Sequence, residues 1–237
     1  MTRRLGTAAG AIVLVTVVGA CTSGPPPPPV DNQPYEQRVH AARAEKDAAF
    51  RTASDSPIPA TARAAFAGLA YFAIDPAYRV PAVLTEDPSG RQVVISLPTS
   101  STELRRMRKV GALGFTLSGA PYTLTAFVDA DAPDMRRLFV PFGDLTNGAD
   151  TYKGGRYLDL DRTPTGLYDL DFNRAYHPFC VYDQAYVCPV PPRENRLTAA
   201  IKAGERLGPF QLSSTREDLD ARGRPASAKV GTARVAN

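Results

Sequence analysis

Hydrophobic residues are arranged in three regimes along this 237-residue chain. Near the start, Ala11 to Val18 is a nearly continuous apolar run, too short to span a bilayer. Between 34 and 52 the spacing is helical, with Tyr35, Val39, Ala42, Ala49 and Phe50 on related positions among Ala, Glu, Lys and Arg. Pro34 suits a first helical position, with Glu36 two residues on. The segment Asp55-Ser56-Pro57-Ile58-Pro59 ends this helix, and a second, short helix is expected over 61–67. From Tyr78 onward the period drops to two. It predicts strands over 78–85, 91–97, 110–117, 122–129, 138–142, 156–161 and 167–173. Turn signals separate several of them, at Asp87-Pro88-Ser89-Gly90, Ser118-Gly119-Ala120-Pro121 and Thr163-Pro164-Thr165-Gly166. The stretch 103–109 reads as a continued strand or as one helical turn, and 197–205 as helix or strand, with a last strand preferred. The pattern predicts a mainly β fold: an antiparallel meander forming a sandwich or small barrel, with an N-terminal helix.

The first regime bears on location. Arg3 and Arg4 precede the apolar run, and Val18-Gly19-Ala20-Cys21 closes it. That arrangement resembles the lipobox of bacterial lipoproteins. The resemblance implies a signal peptide over 1–20, lipidation of Cys21 after cleavage at Ala20, and an extracytoplasmic, membrane-anchored protein. In a cell with an outer membrane, that membrane is a further possible home. Pro25 to Pro29 then reads as a polyproline II spacer within a tether over 21–33. One globular domain is expected over 34–210 and a disordered tail over 211–237.

Charge adds little to this. The formal net charge is +4, of which Arg3 and Arg4 leave with the signal. The segment from Ser213 carries five basic and three acidic residues, so the body is close to neutral. Nucleic acid is therefore not an expected partner, whereas the membrane is, through Cys21. With Cys21 assigned to lipid, Cys180 and Cys188 remain as a pair in an exported chain, and a disulfide is expected between them. Closing that loop would contribute roughly 2.5 kcal/mol.

Several chemistries lack their sequence signatures. The chain has no phosphate-cradling glycine loop, no nucleophile elbow and no histidine pair at metal spacing. No metal and no cofactor are called for. Polar residues concentrate instead between 144 and 205. They include the Gly-rich run from Thr146 into Arg156-Tyr157-Leu158-Asp159, then Asp169-Leu170-Asp171-Phe172-Asn173-Arg174-Ala175-Tyr176, then Pro191-Pro192-Arg193-Glu194-Asn195-Arg196-Leu197. With the cysteine-bounded loop and Ala203-Gly204-Glu205, these runs resemble the domain of unknown function 1684 family over roughly 35–206. His177 departs from the resemblance, where Asn is usual, as does Asn147, where Ser is common. The resemblance implies no reaction.

Reading 158–170 as a hairpin places Leu158, Leu160, Tyr168 and Leu170 on one face and Asp159, Asp161, Asp169 and Asp171 on the other. Opposed carboxylates call for compensation by Arg156 or Arg174, by a cation, or by a shared proton. The candidate ligand-binding set is thus Arg156, Asp159, Asp171, Asn173, Glu194 and Asn195. Three roles stand open: a module binding a small polar ligand or envelope component, a hydrolase or lyase using a carboxylate pair with Arg156 as clamp, and a structural lipoprotein.

Overall fold

The computed structural model describes residues 33–86, 89 and 91–208. The expected signal peptide, the tether as far as 32 and the expected tail lie outside the described residues. Among the described residues one long helix, α1 (Tyr35–Thr52), opens the fold. It fully buries only Val39 and Phe50, so polar contacts carry much of its attachment. Arg43 donates to the carbonyls of Phe72 and Asn173, Lys46 pairs with Glu205, and the Leu69 N–H donates to Asp47. Of the expected second helix, only a 3₁₀ turn at Arg63–Ala65 forms.

The strands are β1 (Ala70–Tyr71), β2 (Arg79–Glu86), β3 (Val93–Pro98), β4 (Leu104–Leu117), β5 (Ala120–Asp129), β6 (Arg137–Phe142), β7 (Arg156–Asp161), β8 (Leu167–Asp171) and β9 (Glu205–Arg206). Six of them form an antiparallel path β7-β6-β5-β4-β2-β8, which curls into a nearly closed barrel. The stretch 103–109 resolves as strand from Leu104 onward. There β4 is flanked by β3 on one edge and β5 on the other, and two ladders outweigh a single helical turn. The expected strand over 197–205 is irregular except at its end, where β9 pairs with β1.

Alternation sorts the side chains as period two requires. Leu113, Leu124, Leu138, Val140, Phe142, Leu158, Leu170 and Phe172 fill the barrel, each contributing about 2 kcal/mol by leaving water. A second cluster under α1 gathers Phe50, Ile58, Phe66, Leu69, Val181 and Tyr182. Phe50 packs edge-on against Phe179 and Tyr182.

The hairpin expected over 158–170 does not form. β7 pairs with β6, bringing Asp159 opposite Phe139 and Asp161 opposite Arg137. β8 pairs with β2, bringing Asp169 opposite Pro81 and Asp171 opposite Arg79. The two strands face each other across the seam of the barrel, bridged at one end only, where Tyr157 and Tyr176 exchange backbone hydrogen bonds at 2.9 and 3.0 Å. The facial segregation of leucines and aspartates survives, because it depends on pleat and not on partner.

Candidate functional site

Three of the six candidate residues are structural and buried. Gly155 (φ +90°), where an added Cβ would strike the Phe142 carbonyl at 2.6 Å, turns the chain into β7. The Arg156 side chain that follows is fully buried. Its guanidinium pairs with Asp144 at 2.9 Å and donates to the carbonyls of Ile201 (2.7 Å), Ala203 (2.5 Å) and Glu205 (3.1 Å). Burial pulls its pKa down while Asp144 pulls it back up. It does not reach Asp159 or Asp171, so it does not compensate them.

Asn173 and Asn195 act alike. The Asn173 carboxamide accepts from the Asp75 N–H (3.0 Å) and donates to the Asp75 carbonyl (2.8 Å). That of Asn195 accepts from the Thr125 N–H and donates to the carbonyls of Thr125 and Pro141. Each mimics a strand partner. β5 and β6 pair only at Phe127 and Phe139. Two residues on, Pro141 has no N–H to offer Thr125, and the Asn195 amide fills that place. Glu194, beside it, is exposed and away from the other candidates' groove.

Asp159 and Asp171 do come together. They line a groove of about 220 Å³ on the outside of the seam, with Asp161, Asp169, Tyr35, Arg38, Arg79 and Arg174 around it. The Tyr35 hydroxyl donates to Asp171 at 2.8 Å, and Arg174 approaches the same carboxylate at 3.3 Å. Arg79 forks onto both oxygens of Asp169 and lies over the Tyr35 ring at 4.7 Å. Asp159 accepts from the Tyr176 hydroxyl at 2.8 Å. Burial pushes the Asp159 carboxyl above its usual range, against the pull of that hydroxyl and of Arg137.

The seam also exposes backbone. Tyr157 spends its N–H and C=O on Tyr176, and Arg162 donates to Arg136 across β6, so Asp159 and Asp161 point theirs into the seam. Leu84 donates to Gly166, which by the same alternation turns the backbone of Asp169 and Asp171 toward the seam. The groove therefore offers backbone donors and acceptors along both walls, between four carboxylates of which Asp169 and Asp171 are matched by guanidinium groups.

A second polar cluster lies beneath α1, and none of its members was among the candidate ligand-binding residues. Gly204 (φ +77°) brings the chain so close to the carbonyls of Phe172 and Ala175 that a Cβ would lie 2.7 and 2.5 Å from them. Glu205 then turns inward and accepts from Lys46 (2.6 Å), the His177 N–H (2.8 Å) and the Tyr182 hydroxyl (3.0 Å). Burial raises the Glu205 carboxyl, but Lys46 and His177 outweigh it and hold it below its ordinary value. His177 accepts the Tyr152 N–H on Nε2, and its Nδ1 has no hydrogen-bond partner. Lys46 on a helix and Glu205 near the end of the domain are 159 residues apart, and no local pattern links them.

The expected Cys180–Cys188 disulfide is absent from the structure. Both are free thiols, with the Cys180 N–H donating to Cys188 Sγ at 3.3 Å. Among the described residues, no group of three or more His, Cys, Asp or Glu side chains could hold a metal ion, and no helix is long and apolar enough to cross a membrane.

An antiparallel barrel, left open along one seam beside helix α1, is thus the class of protein that fold and groove define. The chain belongs to the family described as protein of unknown function (DUF1684), which it matches over residues 64–206. It is similar to an uncharacterised protein of Haloarcula marismortui known from a solution NMR structure. The two share 42% identity and a TM-score of 0.58, over 73% of this chain and 94% of that one. A search of curated proteins returned no match.

Proposed function

We propose that this protein is a lipid-anchored extracytoplasmic binding module whose seam groove takes a small polar ligand. The observation that carries the reading is the groove itself. Asp159, Asp161, Asp169 and Asp171 present backbone hydrogen-bonding groups there, and Arg79 and Arg174 already neutralise two of the four carboxylates. Such a surface suits hydroxyl and amide groups better than a strongly charged ligand. A backbone-amide NMR titration with small polyols, amino acids and amides tests it. Shifts should concentrate at Asp159, Asp161, Asp169 and Asp171, and Asp161→Trp, at the exposed rim, should abolish them. Shifts confined to other surfaces, or none at all, would refute the reading.

The anchor is supported by Arg3-Arg4, the short apolar run and Val18-Gly19-Ala20-Cys21. Metabolic labelling with a fatty-acid analogue should mark the wild type and leave Cys21→Ser unlabelled. Equal labelling would remove the anchor and leave the groove proposal standing.

One observation favours a hydrolase or lyase as the second reading. Burial favours the protonated form of Asp159, in the same groove where Asp171 accepts from Tyr35 and the backbone N–H of Asn173. In that case Arg174 would serve as clamp in place of the inward-turned Arg156. Asp159→Asn should then lose turnover of a bound ligand while still binding it.

A further inference from the structure

We propose that Cys180 and Cys188 are a redox-active pair, with Cys180 as the attacking thiol and Cys188 as the buried thiol that resolves it. The two are inequivalent by construction. Cys188 is 6% exposed, and Ser100 fixes its backbone from both sides: the Cys188 N–H donates to Ser100 Oγ at 3.0 Å, and its carbonyl accepts the Ser100 N–H at 2.8 Å. Cys180 lies in a 3₁₀ turn, Phe179–Val181, and is half-buried. Its own N–H donates to Cys188 Sγ at 3.3 Å, and the two thiols interact side chain to side chain. The Tyr152 hydroxyl lies 3.9 Å from Cys180 Sγ. Hydrogen bonds from Cys188, Ser100 and Tyr152 favour the Cys180 thiolate against the cost of its burial. The Tyr152 phenol is itself pushed up by burial and remains a donor.

The loop does not need the bond in order to stay in place. Val181 and Tyr182 are packed in the cluster under α1, and Val190 donates to the Pro98 carbonyl at 2.7 Å. Closing so short a loop removes little chain entropy, so the fold tolerates both redox states.

The partner is a low-molecular-weight disulfide, or in reverse a dithiol. The Cys180 thiolate attacks one sulfur of the external disulfide, whose S–S bond breaks and whose first thiolate leaves with the electron pair. Cys188 gives its proton to that thiolate and attacks the Cys180 sulfur. The second external thiolate leaves and takes up the proton that Cys180 released. Two protein thiols are oxidised and one external disulfide is reduced to two thiols.

Full-length protein equilibrated against graded ratios of reduced and oxidised dithiothreitol, then alkylated and peptide-mapped, tests the pair without counting Cys21. The linked and doubly alkylated forms should interconvert reversibly with one two-electron midpoint while the protein stays folded. In Cys188→Ser, an aromatic disulfide should leave a persistent adduct on Cys180. In Cys180→Ser, the adduct at Cys188 should form at least roughly tenfold more slowly. A bond that resists excess dithiothreitol until the protein unfolds would make it a permanent staple and overturn the proposal. Two thiols that stay alkylatable in excess oxidant would overturn it as well, and so would equal reactivity of the two variants.

Discussion

The Asn195 carboxamide and the Thr125 backbone form a two-way pair: Oδ1 accepts the Thr125 N–H at 2.7 Å, and Nδ2 donates to the Thr125 carbonyl at 2.8 Å. Nδ2 also donates to Pro141 at 2.7 Å, so one side chain splints β5 to β6 where proline has removed the ladder. Asn195→Ala leaves a buried N–H and two carbonyls without partners and should cost about 3 kcal/mol. Asn195→Asp should cost more, because it replaces two donors with a buried charge. Urea melts of the three proteins check the order.

Arg156 and Asp144 are both fully buried. Removing either partner strands the other, so Arg156→Ala should destabilise by about 3–5 kcal/mol. Arg156→Met with Asp144→Leu should recover much of that loss. Pairing Arg156→Ala with Asp171→Asn should give additive effects, since the two side chains do not share a partner. Strong coupling of Arg156 to Asp171 in such a cycle would contradict the observed geometry.

Burial lowers the His177 pKa from 6.5 to about 4, with the Glu205 carboxylate opposing and Arg156 and Lys46 reinforcing the shift. The unfolded chain therefore binds a proton that the folded protein refuses. His177 contributes its full stabilisation above about pH 6.5 and loses it as pH falls toward 4, up to about 3 kcal/mol in all. His177→Asn should flatten this acid slope. The imidazole resonances should show a neutral ring with the proton on Nδ1 until about pH 4.

Asp159 works in the opposite direction. Its folded-state pKa is raised, so the native state holds the proton longer than the unfolded chain does. The benefit is complete below the ordinary carboxylate pKa and disappears as pH rises through the raised value. Asp159→Asn still offers the Tyr176 hydroxyl an acceptor, and should gain stability relative to wild type between acid and neutral pH. Thermal melts of both proteins across that range give the sign directly.

Much of this architecture was legible along the chain. The helical spacing of 34–52 and the alternation from Tyr78 onward depend on neighbouring residues only, and α1 and most strands lie where that periodicity puts them. The same alternation placed Leu158, Leu160, Tyr168 and Leu170 on one face and four aspartates on the other. It also brought Asp159 and Asp171 to one site, although through a hairpin that does not exist. The short tail of 167–173 failed locally, because the Asp171 carboxylate accepts the Asn173 N–H and turns the chain into a 3₁₀ bend.

Partners were another matter. β8 lies beside β2, Arg156 beside Asp144 and the carbonyls after Ala200, and Lys46 beside Glu205. Polar residues gathered between 144 and 205 looked like a ligand set, yet Arg156, Asn173 and Asn195 spend their hydrogen bonds on distant backbone. Sequence by itself determined the elements and which way each side chain faces, because pleat and helical turn repeat over two to four residues. Tertiary structure decided which edges meet, which buried polar groups find partners, and that the barrel stays open between β7 and β8. Those outcomes depend on closing loops of tens of residues at once, and adjacent residues carry no record of them.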